Sequence, residues 1–72
     1  GKDNLRLEAT NFIFMENIGT MLRKQRELKG FSQEYVAGLV GVSTSVISKI
    51  ETGKTKARFD VISNICKALD MN

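Results

Sequence analysis

An all-α fold, a compact bundle of four to five short helices preceded by an N-terminal arm, is predicted by three observations. Apolar residues recur at helical spacing in four segments after residue 16. Gly30, Gly41 and Gly53 punctuate those segments, and Gly30 suits a left-handed cap at the end of the first helix. At 72 residues the chain holds one small domain, and it is too short for the alternating strands and helices of a dinucleotide fold.

Residues 1–16 read as the arm and 17–72 as the domain. In the arm, Leu5, Leu7, Phe12 and Phe14 alternate in part with polar residues, which suggests a strand, whereas Leu5, Ala9, Phe12 and Met15 equally make a helical face. An extended or strand-like arm is the reading carried forward. It has no evident strand partner in the chain and would invite pairing with a second copy. The first helix runs from about Asn17 to Lys29, with Ile18, Leu22 and Leu28 taken as its apolar positions and Lys29 favouring the negative end of its dipole. Ser32 N-caps a second helix from Gln33 to Val40, with Val36, Ala37 and Val40 on one face. Gly41-Val42 makes a tight turn. Ser43 caps a third helix, with Val46, Ile47 and Ile50 inward, and Thr52-Gly53 ends it. A basic loop from Lys54 to Arg58 follows. Phe59 to Leu69 is the fourth helix, with Phe59, Ile62, Ile65, Cys66 and Leu69 as its apolar stripe; Arg58 is a poor cap, although Asp60 helps in the first turn.

Composition excludes several functions. The chain has no His and one Cys, so it lacks the partners for a Ser-His-Asp or Cys-His catalytic set, an internal disulfide or a structural zinc site. No enzyme, cofactor or metal is expected. Its apolar runs fall far short of the ~20 residues of a membrane span, and Asp3 and Glu8 do not fit a signal peptide, so a cytoplasmic protein is expected. Cys66, on the apolar face of the fourth helix, reads as a small packed hydrophobe rather than a reactive thiol. The net charge of +3 is modest but unevenly placed: residues 1–17 carry −1 and residues 18–72 carry +4. Arg23, Lys24, Arg26 and Lys29 form one basic cluster; Lys49, Lys54, Lys56 and Arg58 form another. Such clusters permit a nucleic-acid partner without demanding one.

The informative unit is Ser32 to Gly53. Two short helices joined by a tight glycine-containing turn form a helix-turn-helix. Ala37 is small where the helices would cross. Gly41 would relieve crowding in the turn, and Val42, Val46, Ile47 and Ile50 would lock the second motif helix against the first. Thr44, Ser45, Ser48 and Lys49 then occupy that helix's exposed face. Ser and Thr hydroxyls can bond either base type, and Lys can reach guanine O6 and N7. An ordinary polar helix surface has the same composition, but here the helix start has no acidic residue, and Lys49 and Lys54 flank it.

From Ile18 to Leu69 the sequence resembles the helix-turn-helix domain of the phage Cro/repressor (Xre-type) family. The resemblance is carried by Ile18-Gly19, Leu22-Arg23, Arg26, Gly30 to Gln33, Val36-Ala37, Gly41 to Ser43, Val46 to Glu51, Gly53-Lys54 and Ala68-Leu69. It implies a sequence-specific DNA-binding transcriptional regulator, a repressor, whose recognition helix is 43–52. It further implies base contacts from Thr44, Ser45, Ser48 and Lys49, and phosphate contacts from Gln33, Ser43, Thr52, Lys54, Lys56 and Arg58. The family's loop after the recognition helix also grips phosphates through backbone amides. Arg26 and Glu51 match an internal ion pair between the first and third helices. Where the family often has Pro before its fourth helix, this chain has Ala57-Arg58.

The implied partners are a double-stranded DNA operator and a second copy of the chain. The alternative is an antitoxin that holds a toxin and autoregulates its operon, with Phe12, Ile13 and Phe14 as a docking arm.

Overall fold

The computed structural model describes residues 17–71. Among them are four helices and no strand: α1 over 17–28, α2 at Gln33–Val40, α3 at Thr44–Glu51 and α4 at Phe59–Ala68. The strand-like arm expected over residues 1–16 lies outside the described residues.

Capping sets the boundaries. Ser32 and Ser43 are extended, and each hydroxyl oxygen accepts from an otherwise orphaned amide, Tyr35 N–H at 3.0 Å and Val46 N–H at 3.3 Å. Arg58 caps α4 with no side-chain hydrogen bond, as a long cation must. At the other ends, all four helices close on a residue of positive φ: Gly30 at 72°, Gly41 at 82°, Gly53 at 72° and Asp70 at 56°. The residue after each donates its amide back five residues: Phe31 to Arg26, Val42 to Ala37, Lys54 to Lys49 and Met71 to Cys66, at 2.8 to 3.1 Å. Gly41 is therefore required by its left-handed backbone. The expected relief of crowding is not the reason, because a Cβ there would meet nothing within 4 Å.

The core draws on every helix: Leu22 from α1, Val36 and Ala37 from α2, Ile47 and Ile50 from α3, Ile65 and Leu69 at α4. Ile18, Val40, Val42, Val46, Val61 and Cys66 pack around it. Two expected core positions are corrected. Leu28 is 78% exposed and Phe59 86% exposed. Both lie six residues from a true core position, Leu22 and Ile65, and six steps of about 100° leave a side chain some 120° off the buried line. Val61, four residues before Ile65, takes the place expected for Phe59.

Gly19 marks a close approach between α1 and the end of α3. A Cβ there would overlap the Ile50 carbonyl oxygen and come within 2.8 Å of the Glu51 carbonyl oxygen. α1 thus lies directly on the C-terminal turn of α3, and it can do so only where a residue has no side chain.

Candidate nucleic-acid interface

The C-terminal end of α3 is anchored by a hydrogen-bonded ion pair. Arg26 Nε donates to Glu51 Oε2 at 2.7 Å and Nη2 to Oε1 at 3.1 Å, a bidentate pair, while Nη1 donates to the Phe31 carbonyl at 2.8 Å. The two side chains are only 12% and 4% exposed. The hydrogen bond from Glu51 holds the Arg26 guanidinium above its ordinary pKa, against the opposing pull of burial. Among the described residues no buried side-chain nitrogen or oxygen lacks a hydrogen bond. The pair joins α1 and the loop after it to the end of α3, and so sets how α3 is presented.

Gln33 joins this network. Its amide Nε2 donates to Glu51 Oε1 at 3.1 Å. An amide nitrogen carries two protons, so one is committed inside and the second remains for an external acceptor. Sequence reasoning placed Gln33 at a phosphate and did not see that Glu51 orients it.

Along α3, Ser45 and Lys49 are exposed on the side away from Ile47, and Thr44 and Ser48 are half-buried along the flank of the buried line. The first turn holds no acidic residue, so nothing offsets the positive end of the helix dipole there. Ser43 accepts from Val46 N–H and keeps its hydroxyl proton to donate.

Thr52 stands differently. Its hydroxyl donates to the Ser48 carbonyl at 2.9 Å and its amide to the same oxygen at 3.1 Å. Thr52 as placed closes the helix and has no free donor for a phosphate. The expected grip by loop amides is narrowed, because Gly53 N–H donates to Ile50 O at 3.1 Å and Lys54 N–H to Lys49 O at 2.9 Å. These two amides complete the end of α3, which leaves the loop's cations and its amides beyond Lys54 to meet an anion.

The cations themselves are sorted by the fold. Arg23 lies 2.8 Å from Glu27 and Arg26 is bound to Glu51, so half of the first basic cluster is neutralised within the domain. Lys49, Lys54, Lys56 and Arg58 are all exposed. Lys49, Lys56 and Arg58 rim an open cleft of about 270 Å³ between α3 and the following loop, with Val46, Ile50 and Val61 among its apolar lining. Arg58 lies 3.5 Å from Asp60, both highly exposed, a contact worth little in water. Among the described residues no cluster of metal-ligating side chains is present, and no helix is long and apolar enough to cross a membrane.

Comparison with known proteins places this geometry. A family model for the helix-turn-helix matches residues 22–72. Two uncharacterized HTH-type transcriptional regulators of Mycobacterium tuberculosis, from strains CDC 1551 / Oshkosh and ATCC 25618 / H37Rv, are each 42% identical to the chain over 51 residues. The match covers 71% of the chain but spans only 36% of the length of each relative. Among solved structures, the restriction-modification controller protein C.AhdI from Aeromonas hydrophila superposes with a TM-score of 0.79 at 31% identity, covering 85% of this chain and 88% of that one. The clp gene regulator ClgR from Corynebacterium glutamicum gives a TM-score of 0.78 at 28% identity, covering 81% of this chain and 62% of that one.

Proposed function

Because this chain belongs to the Cro/C1-type helix-turn-helix family, we propose that it is a sequence-specific DNA-binding domain of a transcriptional regulator, acting as a repressor by occupying its operator. The observation that carries this reading is the outer face of α3, polar and free of acids, set beside four exposed cations on α3 and the loop after it. α3 is the recognition helix. Thr44, Ser45, Ser48 and Lys49 read base edges in the major groove, with Lys49 directed to a guanine. Gln33 through its second amide proton, Ser43 through its hydroxyl, and Lys54, Lys56 and Arg58 through their charges hold phosphates and fix the register. Thr52 acts by closing α3.

The Arg26–Glu51–Gln33 network links the two tasks. One carboxylate holds both the arginine that docks α3 and the amide that meets the backbone. Two copies of the domain would set their α3 helices in successive major grooves about 34 Å apart on a roughly palindromic site. Nothing in this scheme calls for catalysis or a cofactor.

A gel-shift titration against DNA from upstream of the protein's own gene, repeated over a salt series, tests the reading. A sequence-selective shift that weakens with salt is expected, and none at low salt would overturn it. Lys49→Ala should change sequence preference by roughly 1–3 kcal/mol at one base position. Lys54→Ala should weaken all sequences alike, and equal losses for both variants on operator and random DNA would refute the division between reading and holding.

A further inference from the structure

We propose that the cleft between α3 and the loop after it reads the 5-methyl group of a thymine, with Val46 as the residue that touches it. This rests on the DNA-binding reading above and adds an apolar base contact to it, on the base pair next to the one that Lys49 reads. Val46 is half-buried: it packs against the core and also lines the cleft. At about 100° per residue, it lies on the opposite flank of α3 from Thr44 and Ser48, with Ser45 and Lys49 between the flanks. One flank of the reading face is therefore hydroxylated, and the flank toward the loop is apolar. Ile50, Ala57 and Val61 extend that apolar surface across the cleft, where Thr55 is the one uncharged polar side chain.

Charge and position select the occupant. Lys49, Lys56 and Arg58 line the cleft and no acidic side chain does, so a polyanion is drawn to it. A phosphate cannot settle among valine and isoleucine side chains without losing its water, and it stays with the cations. The base edges of the major groove offer one apolar group, the thymine methyl. That methyl is the outermost group on the major-groove edge of its base pair, beside the sugar-phosphate chain of its own strand. The cleft has the matching place. Lys49, which reads a base, stands on its α3 side, and Lys56 and Arg58, which hold phosphates, stand on its loop side. Its volume of about 270 Å³ admits the methyl-bearing edge of a pyrimidine. Cytosine carries only hydrogen at the same carbon, so it leaves Val46 bare, whereas 5-methylcytosine covers it as thymine does.

A uracil scan of the operator tests the inference. Each thymine is replaced singly by uracil, which pairs identically and lacks only the methyl, and the full chain is titrated by gel shift. The thymine beside the base pair whose preference Lys49→Ala alters should lose about fourfold in affinity when its methyl is removed. In Val46→Ala, with thermal melts as the folding control, thymine and uracil at that position should bind alike. With cytosine placed there, 5-methylation should recover about the same fourfold for the parent chain, a comparison that needs no change in the protein. No cost of uracil at that position, or a cost that persists undiminished in Val46→Ala, would overturn the methyl contact and leave the DNA-binding reading standing. A chain that shifts no operator selectively would overturn both.

Discussion

Arg26 and Glu51 meet through two hydrogen bonds in a nearly water-free setting, so each depends on the other. Removing one partner leaves the other buried and uncompensated, at a cost of about 3–5 kcal/mol. Arg26→Ala should therefore leave a domain of this size largely unfolded in urea titrations, while the double variant Arg26→Met with Glu51→Leu should recover most of the loss. The double variant should still bind DNA more weakly, because Gln33 loses the carboxylate that orients it. The Arg26 pKa is raised, so its share of stability is complete below the unfolded guanidinium value and is lost only as pH rises through the higher folded one. Titration through the mildly alkaline range should accordingly leave that share intact. Gly19 makes the second residue-scale prediction. In Gly19→Ala the new methyl would strike backbone rather than a movable side chain, so α1 must lift from the end of α3. A loss of roughly 1–3 kcal/mol is expected in chemical unfolding, and parental stability would mean that this contact is looser than it stands here.

Each helix is short, with eight residues in α2 and α3, and in isolation would be marginal. Their ends are correspondingly well specified, by Ser32 and Ser43 at the starts and by a left-handed residue at every finish. α4 departs at both ends: Arg58 offers no cap, and Asp70 adopts φ 56°, where an L-residue is strained. Asp70→Gly should raise stability by about 0.5–1 kcal/mol, seen as a higher melting temperature, with DNA binding unchanged. The helix boundaries were legible in the sequence because serine caps and glycine stops are local chemistry. Leu28 and Phe59 were misplaced for a related reason. Apolar character was visible, but which side of a helix is buried depends on where its neighbours lie, and six-residue spacing already turns a side chain away from the buried line.

Across the whole molecule, the net charge of +3 says little until the fold distributes it. Part of the cluster on α1 is neutralised by Arg23–Glu27 within the helix and by Arg26–Glu51 across to α3, whereas the cations around α3 and its loop stay exposed together. Each phosphate they hold should add about −0.9 to the slope of log affinity against log salt. Lys56→Ala and Arg58→Ala should each flatten that slope by about this much, and Arg23→Ala should leave it unchanged; a uniform response to all three would show that the field is diffuse. The sequence by itself determined the four-helix all-α domain, the turn at Gly41, the polar face of α3 and the family to which these belong, since all rest on periodicity, caps and spacing within short stretches. Only the tertiary structure decided that Thr52 and the Gly53 and Lys54 amides serve the helix end, that Glu51 orients Gln33, and that Gly19 sits against backbone. Those outcomes depend on atoms brought together from separate helices or on donors claimed by a particular carbonyl, and a one-dimensional pattern carries neither.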